Sequence, residues 1–380
     1  MNFQFTKAQV ELQKVAREFA LKEVEPIAAE IDKKGVYPKE TFKKMAKIGF
    51  TGIGIPVEYG GSGGNDTDKV IVVSEIAKKC AATAAILSIH TIFPQAILKY
   101  GTEEQKRKYL PMMGDGGSLG AFALTEPNAG TDAGSAKTTA IFDEETNEYV
   151  LNGTKCFISG GGQADALVIF ALTDPKKGLK GMSGIIVEKG TPGFTIGKIE
   201  EKMGIHGSET VELIFDNCRV PKENLLGKEG KGFNIAMSCL DGARIGVAAQ
   251  AFGIAEGALE ESIKYSKERV QFGKPISQLQ GIQWYIADMA TKVEAARWLT
   301  YYAASLKNIG KPFTKEAAMA KLNASTVARE VTNLALQIHG GYGYMQDYPL
   351  ERMYRDAKIT EIYEGTSEVH KIVISRAVLK

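Results

Sequence analysis

Between residues 118 and 225 the spacing of apolar residues changes from helical to short and alternating, and afterwards it changes back. This switch limits the fold more than any single motif, because a helix buries a stripe of period 3.6 and a strand a face of period 2. On the N-terminal side, Thr6 and Gln9 make a capping-box pattern ahead of Val10, Leu12, Val15, Ala16, Phe19 and Ala20. Pro26 and Gly35 break that segment, and Pro38 opens the next, with Phe42, Met45 and Ala46 on one face. Asp68 to Lys79 predicts another helix. Ala81 to Tyr100 is apolar on nearly every side and predicts a helix inside the region. Thr102 and Gln105 repeat the capping box, and Pro111 is expected to stop that helix.

The middle region carries β-type runs: Leu119–Thr125, Lys137–Phe142, Tyr149–Leu151, Lys155–Ile158, Ala166–Leu172, Ser183–Val187 and Val211–Phe215. Asn152-Gly153, between two runs, predicts a hairpin turn. No helical pattern intervenes, so an antiparallel sheet is expected rather than βαβ units. Beyond residue 230, Leu279, Ile282, Ile286, Met289, Val293 and Ala296 keep 3-4 spacing, as do Ala320, Ala324, Val327, Val331, Leu334 and Ile338. Gly340-Gly341 ends the second stripe. Two long antiparallel helices of this kind predict a four-helix bundle. At 380 residues the chain exceeds one core. The reading is α+β in three parts: an N-terminal α-helical domain (1–115), a middle antiparallel β-domain (116–226) and a C-terminal helical bundle (227–380).

A formal net charge of +2, with lysines spread among acids, argues against a nucleic-acid binder. Cys80, Cys156, Cys218 and Cys239 stand far apart, and His90, His206, His339 and His370 lack metal-ligand spacing, so no metal site is expected. Met1 to Phe5 opens no signal-peptide pattern, and no run of about 20 apolar residues is seen, since His90 and Pro94 interrupt the best candidate. A reduced cytoplasmic protein without a membrane span is expected.

Most motifs fail mechanical tests. There is no G-x-G-x-x-G and no P-loop. Gly116-Gly117-Ser118-Leu119-Gly120 fits G-x-S-x-G, but a glycine-rich turn precedes the serine and a strand follows, the reverse of a nucleophile elbow. Gly60 to Gly64 reads as a surface loop, His90 as a satisfied core residue and His206 as a loop residue. Ile362 to Glu368 is different. Thr366 opens a final helix, Gly365 lets the chain turn tightly, and Glu364 is held on that turn. Such a carboxylate can serve as a proton acceptor if apolar surroundings raise its pKa. Taken alone, the turn reads first as that of a solvated glutamate favourably near a helix N-terminus.

Six segments together decide between these readings. They are Phe122 to Asp132, Leu240 to Arg244, Glu268 to Gly273, Gln337 to Gly343, Arg355 to Lys358, and the Tyr363-Glu364-Gly365-Thr366 turn. In order and spacing they resemble the acyl-CoA dehydrogenase family across essentially the whole chain, most of all its short-chain anaerobic branch of butyryl-CoA dehydrogenases and acryloyl-CoA reductases. The resemblance implies non-covalent FAD and an acyl-CoA thioester between the β-domain and the helices. Glu364 matches the catalytic base, which removes an α-proton while the β-hydrogen leaves as hydride to the flavin N5.

Residue by residue, the resemblance places Phe122, Ala123, Leu124 and Thr125 along the flavin. Thr131 matches a contact to FAD phosphate or the CoA arm. Phe157, Ile158 and Ser159 match a second flavin-contacting stretch; many relatives carry tryptophan where Phe157 stands, and Gly160-Gly161-Gly162 departs from the commoner asparagine-containing version. Arg269, Phe272, Gln280, Gln337, Gly340 and Gly341 match residues that grip the FAD of a neighbouring subunit. Thr366 and Glu368 match further FAD contacts, and Asp241, Arg244 and Gly365 match substrate contacts. Long-chain and isovaleryl members carry the base near Asp241 to Arg244, where Gly242 and Ala243 are not acidic, so the short- and medium-chain class is implied. The implied partners are acyl-CoA, an electron-transferring flavoprotein and three more copies of the chain in a homotetramer, a dimer of dimers. The acyl group stays open among propionyl, butyryl and branched chains. Two alternatives are an acyl-CoA oxidase using oxygen, disfavoured by the chain length, and a non-catalytic acyl-CoA-binding protein, disfavoured by the intact Glu364.

Overall fold

Thr6 caps the first helix as the sequence requires. Its hydroxyl accepts from the Gln9 N–H at 3.2 Å, and the Gln9 side chain accepts from the Thr6 N–H at 3.1 Å. The computed structural model describes residues 4–114 and 117–380. The boundary expected at 115/116 and the start of the G-x-S-x-G match at Gly116 lie outside the described residues, as do Met1 to Phe3. Helix α1 (Lys7–Phe19) runs through a π-helical turn, Ala20–Val24, into α2 (Glu25–Lys34). Pro26 therefore does not break the segment. It sits in the first turn of α2, where its missing N–H costs little, and the π turn ahead takes up the misfit. Gly35 does end α2, in left-handed backbone at φ 63°.

Helices α3 (Lys39–Lys47), α4 (Asp66–Ala77), α5 (Ala81–His90), α6 (Ile92–Tyr100) and α7 (Glu103–Gly114) complete the first part. The expected single helix over Ala81–Tyr100 is two helices, broken at Thr91, whose hydroxyl bonds back to the Ser88 carbonyl. By length and composition these twenty residues could cross a membrane, contrary to the expectation that no such run exists, yet most of their most apolar stretch is buried within the protein. Pro111 lies inside α7 instead of stopping it, because only one further turn follows and a single lost bond there is tolerated. His90 is a core residue: its ring meets the Met113 carbonyl at 3.1 Å and accepts from the Gly120 N–H at 3.3 Å. Burial pushes it down to about 4, so the neutral ring ties α5 to the sheet.

The sheet holds β1 (Gly120–Ala123), β2 (Thr139–Asp143), β3 (Glu148–Ser159), β4 (Ala166–Leu172), β5 (Met182–Glu188), β6 (Phe194–Ile199), β7 (Thr210–Pro221) and β8 (Leu225–Leu226). Its order is β6–β7–β3–β2–β4–β5–β8, with β1 on β4. It is mixed, not purely antiparallel. β1–β4 and the one β2–β4 contact are parallel, because the β2–β3 hairpin supplies the long crossover that a parallel pair needs. Asn152-Gly153 is not the hairpin turn: β3 runs through it. Gly153 (φ 143°) marks a register shift against β7, where an added Cβ would come within 2.6 Å of the Thr138 hydroxyl. The reversal lies at residues 144–147, with Asn147 at φ 58°. β6 escapes the sequence reading because it is an edge strand of mostly exposed residues.

Helices α8 (Gly232–Glu268), α9 (Gln280–Asn308), α10 (Thr314–His339), α11 (Leu350–Ile359) and α12 (Ser367–Val378) form the C-terminal part, with a small hairpin, β9 (Val270–Gln271) and β10 (Lys274–Pro275), between α8 and α9. The α10 stripe is buried at Ala320, Ala324, Val327, Val331 and Ile338, and one large core joins α4, α8, α9 and α10. A second core brings Phe93 and Ile97 of α6, Val168 and Phe170 of β4, and Ile235, Ala236, Cys239 and Ala243 of α8 together with Leu124. This core sets one face of the sheet against the start of α8.

Close contacts tie the sheet to the helices on both sides. His206 is more than a loop residue: its ring lies 2.9 Å from the Asp32 carbonyl and 2.6 Å from that of Lys202, while the Ile205 N–H donates to Asp356 of α11 at 2.5 Å. At the start of α8, a Cβ on Gly232 would stand 2.4 Å from the Ser183 backbone carbon. Gly232→Ala is expected to force helix and strand apart, at about 1–3 kcal/mol. A thermal midpoint equal to wild type would show that the contact is slack.

Candidate active site

Three chain segments converge on Glu364. It precedes the N-cap of α12, Thr366, whose hydroxyl accepts from the Val369 N–H at 3.4 Å. The chain reaches that cap through left-handed backbone at both Glu364 (φ 54°) and Gly365 (φ 100°). Gly365 suits such a φ; a glutamate there is strained by about 1–2 kcal/mol. Any side chain at 365 would also meet the His370 ring, 3.2 Å from an ideal Cβ. Tyr363 is anchored by its hydroxyl, which donates to Gln250 of α8, itself bonded to the Ala81 carbonyl at 3.0 Å.

The Glu364 Oε2 is shielded from water and has no hydrogen-bond partner. Burial raises its carboxyl above the usual range, and the nearby Lys321 and Arg244 cations offset only part of that. Lys321 of α10 is fully buried and donates to the Gly365 carbonyl at 2.6 Å; burial pulls its ammonium down to about 7. Arg244 of α8 is buried and donates to Asp241 at 2.6 Å, while its Nε is unpartnered. The other Asp241 oxygen accepts from the Thr314 hydroxyl at 2.6 Å. His370 is buried with both ring nitrogens unpartnered, and burial holds it neutral, near 3. Among the site residues expected from sequence, Glu364, Gly365, Thr366, Asp241 and Arg244 thus come together here, with the exposed Glu368 one turn into α12.

A second group lies on the sheet, across the shared core of Leu124, Cys239 and Ala243. Ala123, Leu124 and Ile158 are buried, Phe122, Thr125 and Ser159 are half-buried, and Thr131 is exposed. Phe157 stands 63% exposed at a β-bulge, at φ 56°. The loop is pinned from below. Lys155, fully buried, donates to the Leu124 carbonyl at 3.0 Å and to Glu126 at 2.8 Å, and Glu126 accepts from the Lys137 and Thr138 N–H groups at 2.7 and 3.0 Å.

A third group sits elsewhere. Arg269, Phe272, Gly340 and Gly341 line a cavity of about 590 Å³ with Tyr265, Ile338 and Tyr342, and the Arg269 guanidinium lies 5.4 Å from the Tyr342 ring centre. Phe272 is 90% exposed at the β9–β10 tip, at φ 52°. Gln280 begins α9, and Gln337 lies near the end of α10. Lys321 and Gln337 are sixteen residues apart on one helix, about 24 Å by helical rise, so the structure does not bring this group to Glu364.

Sequence reasoning missed Lys321, His370, Lys155, Glu126 and Gln250. For Lys321 the signal was present, since it lies between Ala320 and Ala324 on the apolar stripe of α10, where a lysine has no bland reason to be. Positive φ at non-glycine residues is a backbone signal of the same kind. Three of the six such residues among those described, Phe157, Phe272 and Glu364, were already site candidates.

Comparison with known proteins agrees with this layout. Residues 6–117 match the acyl-CoA dehydrogenase N-terminal domain, 121–218 its middle domain and 230–379 its C-terminal domain. The chain is 73% identical to acryloyl-CoA reductase (NADH) of Anaerotignum propionicum, over 100% of this chain and 96% of that one. It superposes on butyryl-CoA dehydrogenase of Megasphaera elsdenii with a TM-score of 0.98 at 50% identity, covering 100% of both chains. A chain from work on the electron transferring flavoprotein of Acidaminococcus fermentans and flavin-based electron bifurcation matches with a TM-score of 0.98 at 54% identity, again over 100% of both. The protein belongs to the acyl-CoA dehydrogenase family of flavin-dependent oxidoreductases.

Proposed function

We propose that this protein dehydrogenates a short acyl-CoA thioester between its α- and β-carbons, or reduces an acryloyl- or enoyl-CoA in reverse, with Glu364 as the group that takes or returns the α-proton. The observation that carries this reading is the Glu364 Oε2, dry, unpartnered and held on strained backbone. A structural carboxylate in that position would be paired, because an unpaired buried charge is costly. An α-C–H beside a thioester is a very weak acid, and a well-placed base supplies about 10²–10⁴-fold. The remainder falls to donors at the thioester oxygen, each worth about 10²–10³. The resemblance gives the Glu364 N–H as one of them, and the left-handed turn fixes where that N–H points.

FAD fits the residues present. Phe157 offers an exposed aromatic face, Thr125 and Ser159 offer hydroxyls beside it, and Lys155 holds their loop in place. When bound, FAD supplies the acceptor for hydride from the β-carbon. We place the CoA arm in the cleft of about 550 Å³ lined by Lys99, Phe233, Met237, Asp241, Lys311 and Thr314. Its lysines suit phosphates, and Asp241 and Arg244 connect its wall to Glu364. The third group, about 24 Å along α10 from Lys321, is too far to serve the same site and fits an FAD held by a neighbouring copy in a homotetramer. The electron-transferring flavoprotein is the proposed redox partner.

Anaerobic titration with acyl-CoAs of rising length tests this. Propionyl- and butyryl-CoA are expected to bleach the flavin, and bleaching that begins only with long chains would sink the short-chain assignment. Oxygen uptake at the rate of substrate turnover would favour an oxidase, and a colourless purified protein a binding role. A pH series adds a signed prediction. Glu364 must be ionised to accept a proton and its pKa is raised, so kcat/KM should climb with pH through a midpoint above about 4.3, the ordinary glutamate value. An acid limb at the ordinary value would mean that the working base is solvated.

A further inference from the structure

We propose that Lys321 is a positioning residue for the base: its ammonium anchors the Gly365 carbonyl and so holds the turn on which Glu364 stands. The inference rests on reading Glu364 as the base. Lys321 is fully buried in the Ala-rich stripe of α10, where a methionine or leucine would fill the same space without the cost of burying charge. Its ammonium donates at 2.6 Å to the carbonyl of the one residue between Glu364 and the α12 cap. That carbonyl belongs to the stretch with successive left-handed residues at 364 and 365, which must be held by something outside itself. α10 is a rigid 26-residue helix, so the anchor point does not move with the turn.

The electrostatics favour the same role. Facing Lys321 are Glu364 on the turn, Arg244 from α8, Glu361 just beyond α11, and Glu368 and His370 from α12. Arg244 is already tied to Asp241, Glu361 to Arg329 and Lys358, and His370 is neutral. Lys321 is the larger of the two cationic influences on Glu364, ahead of Arg244, and it keeps part of the carboxyl's ionised population that burial would otherwise remove.

The test uses the FAD-loaded enzyme and butyryl-CoA. Lys321→Met keeps the length of the stem and removes the charge and the donor. Three results are expected: normal flavin content, anaerobic bleaching slowed by about tenfold or more, and an acid limb moved to higher pH. In the FAD-free protein, amides of residues 361–369 should exchange hydrogen faster than in wild type. A lysine that only fills the core predicts wild-type rate, wild-type acid limb and unchanged exchange, and that result overturns the proposal. Should the methionine variant not fold, Lys321→Arg takes its place. That side chain places its charge differently, so Lys321→Gln is measured with it: the amide keeps a donor but carries no charge, and an acid limb moved to higher pH in Lys321→Gln supports the anchor, whereas an acid limb where wild type has it overturns the proposal. If wild type itself is not bleached, the reading of Glu364 falls and takes Lys321 with it; if wild type is bleached and Lys321→Met matches it, Lys321 alone falls.

Discussion

Glu364→Gln should leave the flavin yellow when butyryl-CoA is added without oxygen. The amide has the shape of the carboxyl and can follow the same backbone, but it cannot accept the α-proton at neutral pH. The loss expected for removing a positioned base is about 10²–10⁴-fold in the bleaching rate, the largest single-residue effect foreseen here. FAD should remain bound, and acyl-CoA should still perturb the flavin spectrum. Thermal stability should hold or rise, because a neutral amide at this position no longer opposes the burial that raises the carboxyl's pKa. Bleaching within a few-fold of wild type would remove Glu364 from its role.

Arg269→Ala should release flavin and loosen subunit association together. Arg269 lines the 590 Å³ cavity far along α10 from Glu364, and its planar fork suits a pyrophosphate. Losing a hydrogen bond to a charged group costs about 1.5–3 kcal/mol, or roughly 10–150-fold in FAD retention. If that FAD belongs to a neighbouring copy, gel filtration should show later elution as flavin content drops. Unchanged colour and unchanged elution would argue that the cavity serves neither purpose.

Much of this was legible in the sequence because local chemistry and the fold agree. The capping boxes at Thr6 and Thr102 form as their residues dictate. The α10 stripe packs as its spacing requires. Failures came where tertiary contacts overrule a local signal. Asn152-Gly153 has turn chemistry, yet the glycine is needed for the close approach to Thr138. Pro26 and Pro111 act as breakers in isolation, yet Pro26 sits in a first helical turn, whose N–H groups have no intrahelical partner anyway, and Pro111 costs a single bond one turn before α7 ends. Glu364 and Arg269 became candidates through family resemblance, whereas Lys321 and Lys155 did not. Their work is to hold backbone carbonyls, and which carbonyl a lysine reaches depends on segments 44 and 31 residues away along the chain.

The side chains at 157, 272 and 364 each sit where glycine would be the more comfortable occupant. Relaxing any one of them by a Gly substitution should make the polypeptide more durable and the catalyst worse. If these side chains serve as proposed, endurance and turnover pull in opposite directions at the three positions, and a screen that rewards heat resistance alone would select against the strained turns on which they stand.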